Sequence, residues 1–201
     1  MRGEVQTEAV RSDRKVAETH RFVPSRTIVV VGLMGAGKSK VGRRLALRLG
    51  LPFFDSDREI ETAAGETIEE IFANRGERVF RAGERRVIAR LLAQPVHVLA
   101  TGGGAFMDPA TRELVARRGV SLWLRADLDV LVSRVLRRSN RPLLKQGNPR
   151  VILAELIERR YPLYAEADVV VDSGEGSPEA TVTRAIAALT ACPRALLPPE
   201  M

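Results

Sequence analysis

The stretch Thr27–Gly50, TIVVVGLMGAGKSKVGRRLALRLG, decides the fold class of this 201-residue chain. It starts with a run of β-branched residues, which is typical of a strand buried on both faces of a parallel sheet. The next segment, Gly32–Ser39, fits the phosphate-binding pattern G-x-x-x-x-G-K-[ST]. Apolar residues then recur four apart from Val41 to Leu49, and Gly50 supplies a helix stop. A strand, a glycine-rich loop and a helix in this order predict a phosphate-binding loop (P-loop) for a nucleotide.

The residues of this loop have distinct chemical tasks. Its glycines let backbone N–H groups turn inward around phosphate oxygens, and the positive end of the next helix points at them. We expect Lys38 to act as a catalytic group that reaches the β- and γ-phosphates of the nucleotide, and Ser39 to bind Mg²⁺. Nucleotide contacts within the loop are predicted for Gly35, Ala36, Gly37, Lys38, Ser39 and Lys40. The alternative is a glycine-rich turn that matches by chance, but the flanking strand and helix favour a nucleotide site.

Short apolar runs and helical patterns alternate along the rest of the chain. The predicted strands are Thr27–Val31, Pro52–Phe54, Val96–Thr101, Val120–Leu124 and Asp168–Val171. After the first helix, the predicted helices are a short one opened by the capping box Thr67–Glu70, then Arg78–Leu92, Pro109–Arg118, Asp127–Arg138, Pro149–Ala165 and Pro178–Leu189. This alternation predicts an α/β fold, a three-layer sandwich with a five-stranded parallel sheet and right-handed crossovers.

The chain length fits one domain with tails. We predict an N-terminal extension over residues 1–22 that is mobile, a single domain over 23–190, and a C-terminal tail over 191–201 that is loose from Pro193 onward. Two insertions interrupt the strand–helix alternation: an acceptor-binding insertion at about 55–90 and a lid at about 138–149. Closing flaps of this kind suit a phosphoryl-transfer enzyme, which must exclude water.

Composition and charge exclude several classes of protein. No apolar run approaches the ~20 residues needed to cross a bilayer, and acidic residues among the first twenty argue against a secretory or transit peptide. The one cysteine cannot form an intrachain disulfide, so we expect a cytoplasmic protein without a membrane partner. The net charge of +7 is dispersed and lacks aromatic company, which favours a small anionic substrate over nucleic acid. We also expect a monomer.

Two carboxylates follow the second predicted strand, in the sequence FFDSD. Asp55 and Asp57 are two apart, so they lie on the same side of an extended segment. Ligands of doubly wound sheets bind beyond the carboxyl ends of the strands, which places both carboxylates in the cleft of the P-loop. One could support Mg²⁺ and the other could accept a hydrogen bond from an attacking hydroxyl. Alternatively, one aspartate simply caps a helix over Arg58–Ala64.

Glycines and arginines complete the candidate site. The sequence ATGGGA, Ala100–Ala105, places Gly102, Gly103 and Gly104 at the carboxyl end of a strand, where backbone can approach a ligand closely, although a plain flexible turn is the alternative. Arg81, Arg141 and Arg160 are candidate partners for a carboxylate or phosphate, although single helical arginines are usually solvated charges. Candidate carboxylates suit a hydroxylated acceptor and surplus arginines suit an anionic one. The phosphate acceptor is therefore predicted to be a small polyhydroxylated acid.

The motifs together resemble the shikimate kinase family, within the nucleoside-monophosphate-kinase-like group of P-loop kinases. The resemblance spans about Val23 to Leu189. Its motifs occur in the family's order: GLMGAGKSKVGRRLA, FFDSD, FR followed by Glu84, TGGG, RPLL and RRYPLY. It implies ATP-dependent phosphorylation of the 3-hydroxyl of shikimate, which gives shikimate 3-phosphate and ADP on the route to chorismate and the aromatic amino acids.

The resemblance also implies individual roles. Asp57, Arg81 and Arg160 would bind shikimate, and Asp57 would be the base for its 3-hydroxyl. Gly102, Gly103 and Gly104 would line the same pocket with backbone. Asp55 would join Ser39 around Mg²⁺. Arg141 would move in with the lid as a catalytic group that meets the ATP phosphates, and Arg138 would pack on adenine.

Two other functions stay open at this point. A gluconate kinase would keep the P-loop but has no evident need for Arg81, TGGG and RRYPLY. A non-catalytic nucleotide-binding module would use the basic surface without turnover.

Overall fold

The computed structural model describes residues 22–137, 147–174 and 176–199. Its five strands are β1 (Thr27–Val31), β2 (Phe53–Asp55), β3 (Val98–Ala100), β4 (Gly119–Arg125) and β5 (Val169–Asp172). They form one parallel sheet in the order β2-β3-β1-β4-β5, which confirms the predicted fold class. Every residue of β1 is buried, because helices cover both faces of the sheet.

Eight helices connect and flank these strands in the described part of the chain. They are α1 (Lys38–Leu49), α2 (Ser56–Ala64), α3 (Ile68–Leu92), α4 (Pro109–Arg118), α5 (Leu128–Leu136), α6 (Pro149–Tyr164), α7 (Pro178–Thr190) and α8 (Pro193–Leu196). A single 3₁₀ turn, Ala105–Met107, precedes α4. The stop at Gly50 and the caps at Thr67 and Ser177 are as predicted: Gly50 is left-handed, Thr67 and Glu70 form a capping box, and Ser177 caps Ala180.

The acceptor-side insertion contains two helical segments, as predicted. The sequence predicts a short helix opened at Thr67 and a longer one over Arg78–Leu92, and the structure joins both segments in α3, from Ile68 to Leu92. Gly76 interrupts it with a φ of 76° and a ψ of 166°, so two helical segments join at a kink. The predicted lid at about 138–149 falls mostly on residues 138–146, which lie outside the described residues.

The prediction of a loose tail from Pro193 onward is wrong for the tail residues that the structure describes. Residues from Pro193 form α8, and Ala195 is fully buried. Arg26, which is 4% exposed, donates hydrogen bonds from its guanidinium to the carbonyls of Leu197 at 2.9 Å and Pro198 at 2.6 Å. It also donates to Arg117 at the end of α4 at 2.7 Å. Carbonyl oxygens of a helix end and of the tail thus stabilise one buried cation.

The described residues include no helix with the length and apolar character required to cross a membrane.

Candidate active site

The P-loop connects the buried strand β1 to α1. Gly37 caps α1 in a left-handed conformation, with a φ of 92°, and has no side chain to satisfy the first-turn N–H groups. These N–H groups and the helix dipole therefore stay available for phosphate oxygens. Lys38 folds back over the loop and donates from Nζ to the carbonyls of Gly32 at 2.8 Å and Leu33 at 3.1 Å.

A cavity of about 610 Å³ lies over this loop. Its walls come from the P-loop, from α5 and from the start of α7, including Gly35, Gly37, Lys38, Ser39, Lys40, Arg134, Arg137, Ser173 and Pro178. Arg134 joins two of these walls, since it donates to Ser173 Oγ at 3.0 Å, and Ser173 in turn donates to the carbonyl of Ala36 at 2.8 Å. The sequence analysis missed this pair, which carries no motif of its own.

Ser39 and Asp55, which the family resemblance places together around Mg²⁺, contact each other beside the loop. Ser39 Oγ donates to Asp55 Oδ2 at 2.6 Å. The other oxygen of Asp55 accepts a hydrogen bond from the backbone N–H of Asp57 at 3.2 Å and caps α2. The capping interpretation and the cleft interpretation therefore both hold for Asp55, through different oxygens.

Asp57 lies in a different secondary-structure element from the one predicted. The sequence analysis placed it on an extended segment, but β2 ends at Asp55 and Asp57 lies in the first turn of α2. Burial raises the pKa of Asp57 from 3.8 to about 6, and the negative charge of Asp55 adds to this rise. Lys38 acts in the opposite direction, which places its cation close to the same carboxylate.

Two of the three glycines after β3, Gly102 and Gly104, lie so close to side chains of the site that a methyl group would clash with them. A methyl group on Gly102 would lie 2.7 Å from Asp57 Oδ1 and 2.8 Å from Glu84 Oε1. A methyl group on Gly104 would lie 2.5 Å from Arg81 Nη1 and 2.6 Å from Arg81 Nη2. The carboxylates and the guanidinium of the site therefore approach the turn closely, while the close approach of its backbone to a ligand stays a prediction.

Arg160 and Arg81 contact different glycines of this turn. Arg160 Nη1 donates to the carbonyl of Gly103 at 3.0 Å, and the hydroxyl of Tyr164 donates to the same oxygen. Arg81 Nη1 donates to Glu84 Oε2 at 2.7 Å, and Glu77 accepts from Nε and Nη2 of the same guanidinium. The structure thus brings Asp57, Arg81 and Arg160 together around Gly102–Gly104.

Glu84 is a member of the site to which the sequence analysis assigned no role. It is 2% exposed, and burial raises its pKa although the hydrogen bond from Arg81 opposes the rise. Its spacing from Arg81, three residues along one helix, is the signal that could have identified it. Its buried carboxylate fixes the Arg81 guanidinium on the side away from solvent.

Arg138 and Arg141, predicted for adenine and for the ATP phosphates, lie outside the described residues. Their roles stay predictions.

The raised pKa of Asp57 predicts a pH-dependent stability difference. Unfolded Asp57 loses its proton near pH 3.8 and folded Asp57 near pH 6. The stability that the bound proton provides is fully present below pH 3.8 and is lost as the pH rises through 6. An Asp57→Asn variant keeps no such dependence, so in the ligand-free protein at pH 7.5 it should unfold with a free energy about 3 kcal/mol higher than the original chain.

Urea unfolding of both proteins at several pH values between 4 and 8 measures this difference. Glu155→Gln, which neutralises an exposed carboxylate on α6, is the control and should follow the original chain. Parallel pH profiles for Asp57→Asn and the original chain would contradict the assigned burial of the charge.

Comparison with known proteins identifies the family of the chain. The family profile described as "Shikimate kinase" matches residues 34–190. A protein of Paramagnetospirillum magneticum named shikimate kinase is 62% identical over 164 residues, which cover 82% of this chain and 84% of that protein. The solved structure described as shikimate kinase from Acinetobacter baumannii in complex with shikimate superposes with a TM-score of 0.80 at 38% identity, covering 85% of this chain and 95% of that one.

A gluconokinase structure from Sinorhizobium meliloti superposes with a TM-score of 0.54 at 21% identity over 85% of this chain and 94% of that one, a likeness that shows the fold alone. The family profile covers most of the chain, and the relative from Paramagnetospirillum magneticum exceeds 60% identity. The chain belongs to the shikimate kinase family.

Proposed function

We propose that this protein transfers the γ-phosphate of ATP to the 3-hydroxyl of shikimate, which gives shikimate 3-phosphate and ADP. The observation that carries the proposal is the meeting of Asp57, Arg81 and Arg160 around one glycine turn, on the edge of the sheet that also carries Lys38. A carboxylate for a hydroxyl and two guanidinium groups for an acid match a hydroxylated carboxylic acid. The phosphate donor and the acceptor would then meet end to end across the cleft.

The proposed roles follow from position and charge. Lys38 holds the β- and γ-phosphates, together with the N–H groups of the first turn of α1. Asp57 accepts a hydrogen bond from the acceptor hydroxyl, and its pKa near 6 leaves it ionised at neutral pH and able to take the proton. Arg81 and Arg160 bind the acceptor carboxylate, while Arg141 and Arg138 are proposed for the phosphates and for adenine.

Ser39 and Asp55 are the proposed protein contacts of Mg²⁺. A hydroxyl and a carboxylate 2.6 Å apart are hard oxygen donors, which fit this ion. The described residues hold no group of three or more histidine, cysteine, aspartate or glutamate side chains placed for a metal, so phosphate and water oxygens would complete the coordination. When bound, the ion would neutralise charge on the phosphates.

The transition state of phosphoryl transfer is loose and requires charge neutralisation and in-line positioning more than strong base catalysis. Lys38 and the arginines are therefore expected to influence turnover more than the basicity of Asp57 does. We further propose that the protein works as a cytoplasmic monomer, without nucleic acid as a partner.

A coupled ADP-release assay tests the proposal. With ATP and Mg²⁺, ADP should form at a rate that depends on shikimate, while gluconate and nucleoside monophosphates should give only the background rate. Turnover with gluconate but not shikimate would favour the other small-molecule kinase. Nucleotide binding without turnover, together with a gel shift of nucleic acid at moderate salt, would favour a binding module.

A further inference from the structure

The guanidinium of Arg81, which is proposed to bind the acceptor, already forms ion pairs with two carboxylates of the protein. Arg81 Nη1 donates to Glu84 Oε2 at 2.7 Å. Arg81 Nη2 and Nε donate to a single oxygen of Glu77, Oε1, at 3.2 and 3.3 Å. Any acid that binds Arg81 therefore meets a guanidinium with two internal anions.

These two carboxylates differ in how firmly they hold Arg81. The Glu84 side chain is 3% exposed and its bond has the length of a strong charge-assisted contact, about 2.7–2.9 Å. The Glu77 side chain is 68% exposed and its contacts are longer. An exposed ion pair of this kind contributes little free energy, so Glu77 is the replaceable partner and Glu84 the permanent one.

The geometry also identifies which edge of Arg81 an incoming acid would use. Gly104 closes the side of the guanidinium that carries Nη1 and Nη2, since a methyl group there would lie 2.5 and 2.6 Å from these atoms. The remaining edge, Nε with Nη2, offers two parallel N–H groups, which is the arrangement that binds a carboxylate with two hydrogen bonds. Glu77 occupies this edge.

We propose that Glu77 sets the affinity for the acceptor by competing with it. The Glu77 carboxylate occupies the Nε–Nη2 edge of Arg81, and the carboxylate of the acceptor displaces it from there. This rests on the proposed function, which supplies the acidic acceptor. In the empty site Glu77 neutralises a half-buried cation, and this stabilisation opposes acceptor binding. The enzyme thus binds its acceptor more weakly than the same guanidinium would without Glu77.

Glu77→Gln tests the proposal, because the amide has the same size and no charge. The dissociation constant for shikimate, measured by calorimetry, should fall about two- to fivefold, and the KM for shikimate should fall with it while the KM for ATP stays constant. The methyl ester of shikimate lacks the competing charge, so its dissociation constant should be the same in both proteins. A role in folding alone would not raise affinity for the acid selectively.

Glu113→Gln is the matched control. Glu113 and Arg117 form the same kind of exposed pair, four residues apart on α4, so this variant removes one negative charge away from the acceptor site. It should bind shikimate as the original chain does. The competition would be overturned if Glu77→Gln bound shikimate equally well or more weakly than the original chain. It would also be overturned if Glu113→Gln gained the same affinity for shikimate, or if Glu77→Gln gained the same affinity for the ester. Failure of the original chain to bind or phosphorylate shikimate would instead overturn the proposed function, and the competition with it.

Discussion

Replacing Lys38 with alanine is expected to lower kcat about 100- to 1000-fold, the loss that follows removal of one preorganised charge-stabilising donor, equivalent to about 2.7–4 kcal/mol. The effect on folding should be smaller. Lys38 donates two hydrogen bonds to P-loop carbonyls, and each contributes about 1 kcal/mol net.

Steady-state kinetics and urea unfolding, measured on the same preparation, separate the two effects. Arg48→Ala, which removes a cation from the exposed face of the same helix, is the control and should change neither quantity much. A Lys38→Ala protein that is largely unfolded at the assay temperature would assign its inactivity to stability. One that is folded and turns over normally would remove Lys38 from the mechanism.

Adding one methyl group at Gly104 is expected to raise the KM for shikimate about 10- to 100-fold, the equivalent of one lost hydrogen bond to a charged group. Gly104 has a φ of −99° and a ψ of −15°, a conformation that alanine accepts without strain. The effect is therefore steric. The new methyl would push the Arg81 guanidinium from its place, and because the far end of a long side chain can move, the fold should survive.

Gly83→Ala provides the comparison for Gly104→Ala. Gly83 lies on α3, two residues from Arg81, and nothing lies within 4 Å of the added methyl. Alanine in a helix should raise the free energy of unfolding by about 0.5–1 kcal/mol and leave the KM for shikimate unchanged. The KM for ATP should be unchanged in both variants. An unaltered KM for shikimate in Gly104→Ala would mean that Arg81 does not bind the acceptor.

Local signals explain what could be predicted from the sequence. The P-loop and the capping box at Thr67 depend on residues within a few positions of each other, so short-range patterns suffice to locate them. The parallel sheet follows because its central strands β1, β3 and β4 are buried almost throughout and are largely apolar in sequence.

The remaining features depend on contacts between distant parts of the chain. The prediction placed Asp57 on an extended segment because residue spacing cannot show that Asp55 ends β2 by capping α2. Glu84 lies only three residues from Arg81, but its contact with Gly102 appears only in the folded chain. The packing of the C-terminal tail depends on Arg26, whose hydrogen-bond partners lie about 90 and about 170 positions further along the chain. Tertiary context decided each of these cases.

The anchoring of the tail by Arg26 has a practical consequence for handling the protein. Arg26 directly precedes β1, so the tail is fastened at the rim where the strands begin, and the P-loop opens at the rim where they finish. A surface tether or fusion partner attached C-terminal to Pro199 would therefore leave the active-site cleft accessible. Trimming the chain ahead of Leu197 would remove two of the oxygens that solvate the guanidinium, and the loss should show as a lower melting temperature long before turnover suffers.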